Sequence, residues 1–560
     1  MSAAATNRRI VVLAAVFALL LGATLARAFW LQGIEGAKYA ALAIAQHRET
    51  VTVPAGRGTI FDRTGDPLAI GERAITIYAN PKQVVHPRTA TLEIARVLRL
   101  DPNVLYPLLS NRSKGFVYVE RKAESVKAAA LERKHIPGLG FYPEEQRTYP
   151  QDRVASQVLG FAGMDNVGLE GLERSLNPVL EGKAGSETIV KDPAGRALSV
   201  VSTRTEEPGK NVRLTIDSQI QAYAQQVLEQ TIRQWSAKDA TAIVMDPSTG
   251  AIYAMAVAPG FNANRFATTR ADRHRNRAVT DTYEPGSTFK LVTISAALQD
   301  HLVTPRTSFV LAPTFQVADR VIHDAEPRGT ERMTVAQIVA RSSNIGTDTI
   351  ARRLGAGRLA DWIDRWGFGH PTGIDFPGES PGFALPLDQW SGSTIGTVPI
   401  GQGISVTPLQ MARAYSAIAN GGRLVTPYLV DKVGGRTIRH RRGHRVVSRR
   451  VSKEMMSMLR GVVLEGTGTA AAIPGYTVAG KTGTAAKVDP NGRYSTTNYV
   501  ASFVGMVPAT KPRLVIMAMV DEPRGAIWGG VVAAPAFQQI ARFCLQHLEV
   551  PPDAPQTARN

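Results

Sequence analysis

The chain has 560 residues, of which 44% are hydrophobic and 20% charged, so it can bury more than one ordinary core and is not disordered by composition. The formal net charge of +18 indicates an acidic environment, which nucleic acid, anionic lipid or an anionic cell-wall polymer would each provide. The single cysteine, Cys544, excludes an intrachain disulfide, so packing has to hold the fold together.

The N-terminus carries an apolar segment that predicts a membrane anchor. After Arg8-Arg9, the sequence is apolar over residues 10–26 and continues with Phe29-Trp30-Leu31, which approaches the ~20 residues that a helix needs to span a bilayer. Positive charge before this segment predicts a cytoplasmic N-terminus over residues 1–9, a transmembrane helix over residues 10–31 and a body outside the cytoplasm.

The alternative for this segment is a signal peptide that is cleaved at Ala26-Arg27-Ala28. The apolar stretch is longer than the ~7–15 residues of a usual signal core, and it continues past the cleavage position. Retention as an anchor is therefore favoured. Because the body then lies outside the cell, nucleic acid is excluded as the partner of the basic charge.

A change of composition near Pro208-Gly209 predicts a domain boundary. Residues 32–209 mix extended segments that carry Pro and Gly with short helical stretches, and they contain no convincing catalytic cluster. Residues 210–550 are predicted to form a second domain, followed by a polar tail over residues 551–560.

The second domain is predicted to combine strands with helices. A strand over residues 212–216 leads into a helix over residues 218–236, and the turn at residues 246–250 joins the two strands of a hairpin. Periodicity predicts helices over 290–298, 335–354 and 408–418, strands over 476–484, 499–507 and 513–520, and a closing helix over 534–548. The predicted fold class is α+β, with an antiparallel sheet covered by helices.

Ser287 and Lys290 form the first candidate catalytic pair. They are three residues apart, directly after Pro285-Gly286, so one helical face would present both side chains. A serine hydroxyl becomes a good nucleophile when a neighbour takes its proton, and a lysine can do so when burial lowers its pKa. A Ser-x-x-Lys also arises by chance about once in a chain of this size, as an exposed serine beside a solvated lysine.

The second candidate element is Ser342-Ser343-Asn344, which interrupts an otherwise apolar helical stretch over residues 335–350. Buried polar groups need partners, so three small polar residues at this position predict either a local helix cap or the wall of a site. The sequence alone leaves both interpretations open.

The third candidate element is Lys481-Thr482-Gly483-Thr484, which continues the strand predicted from residue 476. A lysine beside small residues on a strand leaves room for an extended peptide, and its charge attracts a carboxylate. Gly483 permits a close approach of the backbone. The alternative is a turn that contains a surface lysine.

In this order, Ser-x-x-Lys, Ser-x-Asn and Lys-Thr-Gly form the set found in penicillin-binding proteins and serine β-lactamases. From about residue 10 to 545, the sequence resembles the class B penicillin-binding proteins, whose catalytic domain has the penicilloyl-serine transferase fold. The segments at 57–65, 153–163 and 168–173 resemble the non-catalytic pedestal, or dimerisation, domain of that family. The segment at 401–410 resembles its division-type, FtsI-like branch.

The resemblance implies a serine D,D-transpeptidase that cross-links peptidoglycan stem peptides. Ser287 would attack the carbonyl carbon of the penultimate D-alanine and form an acyl-enzyme, while Lys290 accepts the hydroxyl proton. The side-chain amine of a neighbouring strand would then take the acyl group. β-Lactam antibiotics would acylate Ser287 as mimics of D-Ala-D-Ala, and no metal or organic cofactor is required.

The resemblance also implies roles for the other two elements. Ser342 and Asn344 would relay protons and hold the peptide amide. Lys481 and Thr482 would hold the terminal carboxylate, and Thr484 would supply an oxyanion-binding N–H. No glutamate base for a deacylating water can be assigned, so transfer to an amine is expected over β-lactam hydrolysis.

The expected partners follow from the same resemblance. The pedestal does not resemble a glycosyltransferase domain, so glycan polymerisation would belong to FtsW, the septal polymerase of this family, and other division proteins would join it. The enzyme would act in the inner membrane as a single-pass protein with its catalytic domain in the periplasm, at the septum. Two alternatives remain open, namely an elongation-type enzyme of the lateral wall and a catalytically idle scaffold or β-lactam sensor.

Overall fold

The computed structural model describes residues 3–39, 48–191, 197–441 and 443–554. Within these ranges the chain forms two units. One comprises the residues up to Gly56 together with Gly182–Pro208, and the other comprises Arg57–Glu181 together with the residues from Gly209 onward. All predicted site residues belong to the second unit.

The strands and helices are numbered in chain order. The strands are β1 Arg48–Val53, β2 Ile60–Phe61, β3 Pro67–Ala79, β4 Val117–Ala123, β5 Leu139–Thr148, β6 Gly185–Lys191, β7 Ala197–Arg204, β8 Val212–Leu214, β9 Asp239–Met245, β10 Ile252–Ala258, β11 Ser308–Leu311, β12 Thr314–Val317, β13 Arg320–His323, β14 Glu331–Thr334, β15 Arg423–Leu424, β16 Val430–Val433, β17 Arg436–Thr437, β18 His444–Arg445, β19 Ala479–Val488, β20 Tyr494–Val507 and β21 Leu514–Asp521. The α-helices are α1 Ala3–Phe29, α2 Pro87–Leu98, α3 Pro102–Ser110, α4 Ser125–Glu132, α5 Ser156–Leu159, α6 Gly171–Ser175, α7 Asn177–Leu180, α8 Ser218–Trp235, α9 Arg277–Thr280, α10 Lys290–Gln299, α11 Val335–Ala340, α12 Asn344–Leu354, α13 Ala356–Arg365, α14 Pro408–Ala419, α15 Arg449–Leu464, α16 Gly529–Val532 and α17 Ala534–His547.

The first unit consists of a long apolar helix and a small sheet. Within the described ranges, Asn7–Ile34 is the one helical segment that is long and apolar enough to span a bilayer, with a mean hydropathy of 2.3. It agrees with the single membrane anchor predicted over residues 10–31. The sheet has the strand order β1-β6-β7, and its neighbouring strands are antiparallel.

A five-stranded antiparallel sheet forms the centre of the second unit, in the order β10-β9-β21-β20-β19. The strands β9 and β21 are buried along their whole length, which explains why both sequences are almost continuously apolar. Strand β19, which carries Lys481 to Thr484, lies at one edge. The prediction of an antiparallel sheet is confirmed.

Helices cover both faces of this sheet. Alternate residues of β9 point to opposite faces, so Ile243 belongs to one hydrophobic core and Val244 to the other. The helices α8 and α17 pack in the core of Val244, and α10 and α14 pack in the core of Ile243. The predicted α+β fold, with helices on an antiparallel sheet, is therefore confirmed.

A second sheet connects segments that are distant in sequence. Its order is β17-β16-β8-β2-β3-β4, and β5 also pairs with β3. Strand β8 lies between β2, with which it is parallel, and β16, with which it is antiparallel. The sheet therefore joins residues on either side of Gly209, where the composition of the sequence changes.

Buried charges hold the segment at 57–65 in place. Arg57 donates to Glu173 Oε2 from Nε at 2.8 Å and from Nη2 at 2.6 Å, and Arg147 Nε donates to Glu173 Oε1 at 2.6 Å. At the other end of the segment, Asp62 Oδ2 accepts from the N–H of Ser218 at 3.1 Å and from its hydroxyl at 2.8 Å. Arg57 and Asp62 of this segment therefore have structural roles.

Candidate active site

Ser287 lies in a tight turn beside the edge strand β19. Residues Gly286–Phe289 form one turn of 3₁₀ helix that leads into α10 at Lys290. Gly286 has φ +53°, and a Cβ atom there would lie 3.0 Å from the carbonyl oxygen of Thr484. Glycine therefore allows the turn to approach the strand closely. Ser287 stays partly exposed at this junction.

The side chain of Lys290 is buried beneath this turn, with 2% of the residue exposed. Its Nζ donates to the carbonyl oxygen of Ser342 at 2.6 Å and to Asn344 Oδ1 at 2.7 Å, and it lies 3.4 Å from Ser342 Oγ. Burial lowers the pKa of Lys290 to about 7. An amine with this pKa is partly neutral at physiological pH and can accept a proton.

The helical stretch predicted over residues 335–354 is two helices, because the chain breaks between α11 and α12. Ser342 has φ +59°, a left-handed conformation that an α-helix cannot contain. Ser343 caps α12 by accepting the N–H of Gly346 at 3.0 Å. Both interpretations of this motif therefore hold, since Ser343 is the cap while Ser342 and Asn344 contact Lys290.

Asp324 is a site residue that the sequence did not reveal. Its Oδ1 accepts the N–H groups of Asn344 at 2.6 Å and Ile345 at 3.0 Å, and its Oδ2 accepts the Ser343 hydroxyl at 2.9 Å. The carboxylate thus fixes the start of α12. Asp324 directly follows β13, about twenty residues before the motif. No local pattern in the sequence predicts its contact with Asn344.

Asp348 is a second residue that the sequence did not reveal. It is fully buried, and neither carboxyl oxygen has a hydrogen-bond partner within the described part of the chain. Burial raises the pKa of Asp348 to about 8, although the nearby charge of Lys290 opposes the rise. Its spacing of four residues from Asn344, one helical turn, is the signal that could have identified it.

The Lys-Thr-Gly segment lies on β19. Lys481 is 1% exposed, and burial together with the charge of Lys290 lowers its pKa well below the usual value. The Thr482 hydroxyl lies 2.7 Å from that of Thr467, and Thr484 Oγ1 accepts the N–H of Gly529 at 3.1 Å. Lys481 is thus a buried amine at the edge of the sheet rather than a surface lysine in a turn.

Gly483 allows β19 to lie against the turn of Ser287. A Cβ atom at this position would lie 2.4 Å from Ser502 Oγ and 3.0 Å from the carbonyl oxygen of Pro285. Any larger residue would push the strand away from Ser287. Packing against the turn therefore requires a glycine at position 483. The extended peptide that was expected to bind there also requires it.

Two cavities border this cleft. One of about 380 Å³ opens beside Asn344 and is also lined by His323 and Gln402. The other, of about 360 Å³, follows β19 beyond Thr484 and is lined by charged residues that include Glu284 and Lys487. Within the described ranges, no three His, Cys, Asp or Glu side chains lie close enough together to hold a metal ion.

The cleft has the parts needed for acyl transfer. A partly exposed hydroxyl lies one helical turn from a buried amine of lowered pKa, and two further side chains hold that amine. A second buried amine at the sheet edge can attract a carboxylate. Backbone N–H groups at Ser287 and on β19 can stabilise an oxyanion that forms between them.

Comparison with known protein families gives two matches. Residues 240–542 match the family described as penicillin binding protein transpeptidase domain, and residues 52–214 match the penicillin-binding protein dimerisation domain. Together these matches cover most of the chain.

Individual relatives match over nearly the full length. Peptidoglycan D,D-transpeptidase FtsI of Escherichia coli is 31% identical over 98% of this chain and 93% of its own length. Stage V sporulation protein D of Bacillus subtilis is 34% identical over 93% of this chain and 83% of its own length. The crystal structure of penicillin-binding protein 3 from Mycobacterium tuberculosis with aztreonam superposes with a TM-score of 0.71, at 32% identity, over 90% of this chain and 99% of that one.

Proposed function

Because the chain belongs to the class B penicillin-binding proteins, we propose that it cross-links stem peptides of septal peptidoglycan through an acyl-enzyme at Ser287. Its enzymatic class is that of a peptidoglycan D,D-transpeptidase. The fold of this family binds peptidoglycan and β-lactams. The residue roles, the cellular site and the partners described below belong to the proposal.

The observation that carries the proposal is the environment of the Lys290 amine. It is buried, lies one turn from Ser287, and donates to Ser342 and Asn344 rather than to a carboxylate. A buried amine without a fixed ion pair loses its proton more easily than a solvated one. Lys290 is therefore suited to remove the proton of Ser287.

In the first half-reaction, Ser287 Oγ attacks the carbonyl carbon of the penultimate D-alanine, and its proton passes to Lys290 Nζ. The N–H groups of Ser287 and Thr484 stabilise the oxyanion. Collapse of the intermediate breaks the peptide bond, and the departing D-alanine amine takes a proton as it leaves. The product is an ester between Ser287 and the shortened stem peptide.

In the second half-reaction, the side-chain amine of another stem peptide attacks this ester. The amine loses a proton, Ser287 regains one, and a new peptide bond links the two strands. Water can compete with the amine only if a base activates it. Glu284, three residues before Ser287, is not assigned this role; its Oε1 accepts the N–H of Gly403 at 2.8 Å and the hydroxyl of Tyr494 at 3.1 Å.

The motif residues around the nucleophile would orient the donor peptide. Lys481 and Thr482 would bind its terminal carboxylate, which also returns a full positive charge to Lys481 by pairing with it. Asn344 would hold the peptide amide, and the hydroxyl of Ser342 would relay protons near Lys290. The edge position of β19 leaves a strand to which an extended peptide can be added.

We place the enzyme at the division septum, anchored by the N-terminal helix with its catalytic domain in the periplasm. Support comes from the segment at 401–410 and from the similarity to FtsI over 98% of the chain. The partner would be the septal polymerase FtsW, contacted through the helix and the pedestal. A fluorescent fusion tests this, because enrichment at midcell agrees with the proposal and uniform signal along the lateral wall favours an elongation role.

Labelling with a fluorescent penicillin tests the chemistry. The wild type should acquire one covalent label, and mass spectrometry should find it on the peptide that contains Ser287. Ser287→Ala should remain unlabelled while keeping the thermal stability of the wild type. A wild type that binds penicillin without a covalent bond would indicate an idle scaffold, and a label on another residue would refute the assignment of Ser287.

A further inference from the structure

Asp348 is a buried carboxyl group that has no task in the reaction described above. It lies in α12, four residues after Asn344, and is 0% exposed. Both of its carboxyl oxygens lack a hydrogen-bond partner within the described ranges. Because buried polar groups are normally paired, an unpaired carboxyl group at this depth requires an explanation.

Its position brings it to Lys290. Residues four apart follow each other on one face of a helix, so Asp348 lies about one turn, or ~5.4 Å, beyond Asn344 along α12. Asn344 itself contacts the Lys290 amine at 2.7 Å. The helix α12 packs directly on α10, which begins with Lys290. The Lys290 amine and the Asp348 carboxyl group are therefore neighbours in the buried interior, but they form neither a hydrogen bond nor an ion pair with each other.

We propose that Asp348 is a positioning residue for acylation, whose carboxyl group acts on the Lys290 amine through its charge and thereby sets the pH at which the enzyme becomes active. The inference rests on the proposed role of Lys290 as the base. The pair holds one proton in two forms. In one, the amine is neutral and the carboxyl group is protonated. In the other, an ammonium faces a carboxylate.

Only a form with a neutral amine can accept the proton of Ser287, which is the first form or, at higher pH, a neutral amine near a carboxylate. In that step the O–H bond of Ser287 breaks, an N–H bond forms at Nζ, and the serine oxygen bonds to the acyl carbon. When it is ionised, Asp348 stabilises an ammonium at Lys290, both the one that results from this step and one that is present before the reaction. Asp348 therefore raises the pKa of Lys290. The neutral amine is then a stronger base, but it forms only at higher pH.

The pKa values of the two groups support this exchange. Burial lowers the pKa of Lys290 to about 7 and raises that of Asp348 to about 8, so each group titrates in the range of the other. Two groups that interact in this way lose their protons as a pair. Near neutral pH, the two groups together are expected to carry about one proton.

Asp324 and Lys481 are the other charged groups that face this space. Asp324 lies on the segment after β13, and although burial opposes its ionisation, the N–H of Ile345 and the guanidinium of Arg328 keep its pKa below the usual value. Lys481, on β19, has its pKa lowered well below the usual value by burial and by the charge of Lys290. Asp348 is the acid of this group whose raised pKa lies near that of Lys290.

The test is the pH dependence of penicillin acylation, measured with the purified full-length protein in detergent between about pH 5 and 9. The wild-type rate should rise with a midpoint near the pKa of Lys290. In Asp348→Asn, which keeps the shape of the side chain, the midpoint should move down by about one pH unit. The plateau rate should fall a few-fold, because the base is weaker.

Two control variants separate this effect from net charge and from packing. Asp361→Asn removes an exposed carboxylate of α13, and Thr347→Ser trims a buried neighbour of Asp348 in α12. Both should keep the wild-type midpoint. If Asp348→Asn also keeps it, or moves it upward, the proposal is wrong. Should Asp348→Asn fold poorly, Asp348→Ser provides the same comparison.

Infrared difference spectroscopy provides a measurement that does not depend on catalysis. The wild type should show the C=O band of a protonated carboxyl group near neutral pH, and Asp348→Asn should lack it. Persistence of the band in the variant would contradict the inference. A wild type that penicillin never acylates would instead refute the proposed function, so the two failures can be told apart.

Discussion

Burial and the charge of Lys290 together lower the pKa of Lys481, although the two lysines lie 191 positions apart in the sequence and on different elements. Both are buried, so neither is held in its charged form by water. A ligand carboxylate between them would favour the protonated form of Lys481 and leave Lys290 as the base. The two amines can therefore play different roles in one cleft.

The first prediction concerns carboxylate recognition by Lys481. In Lys481→Gln, the rate of acylation by benzylpenicillin should fall about 100-fold, because a charge-assisted contact of about 2–3 kcal/mol is lost. The methyl ester of the same penicillin should be affected much less. Acylation rates with both compounds give the comparison, and an equal loss with acid and ester would contradict carboxylate binding at this residue.

The second prediction concerns the left-handed residue Ser342. Ser342→Gly and Ser342→Ala both remove the hydroxyl and should both acylate more slowly. Only the alanine retains the steric cost of φ +59°, so the glycine variant should be more stable by about 1 kcal/mol. Urea unfolding of the two variants measures the difference. Equal stability would mean that the backbone conformation carries no cost.

The third prediction concerns the contact of Gly286 with β19. Gly286→Ala should slow acylation about 10–100-fold, because its Cβ would lie 3.0 Å from the Thr484 oxygen and would move Ser287 from its oxyanion donors. Gly435→Ala is the matched control, since Gly435 also has a positive φ, +80°, but nothing within 4 Å of its Cβ. Comparable losses of activity in both would exclude the close contact as the cause.

The fourth prediction concerns the buried charges of the pedestal. Glu173→Gln leaves Arg57 and Arg147 without their carboxylate and should destabilise the protein by about 3–5 kcal/mol. Glu454→Gln, which breaks the more exposed pair with Arg450, should cause no measurable change. Thermal unfolding of both variants tests this, and similar midpoints would refute a structural role of Glu173.

The fifth prediction concerns stability and pH. Burial raises the pKa of Asp348 to about 8, above its value in the unfolded chain, so its contribution is favourable at low pH and is lost as pH rises toward 8. Asp348→Asn removes this loss. Its stability relative to the wild type should increase by about 2–3 kcal/mol between pH 5 and 7. A pH-independent difference would contradict the raised pKa.

Local patterns were sufficient to predict the long apolar helix near the N-terminus, the helix over 218–236 and the strands of the central sheet. They failed at Ser342, because apolar periodicity continues across the break and periodicity does not report a left-handed residue. They also could not reveal Asp324, whose contact with Asn344 depends on the path of the chain after β13. Local patterns also could not predict the pairing of β8 with β2 and β16, because it joins three short segments that lie far apart in sequence.

The central position of β8 limits how the protein can be truncated for biochemistry. A recombinant fragment that begins at residue 210 would retain β8 but lose β2, so one edge of the strand would be open to aggregation. The hydroxyl of Ser218 would also lose its acceptor, Asp62, at the start of α8. For crystallography and inhibitor screening, the shortest useful soluble version therefore begins upstream of Arg57 and carries the pedestal with it.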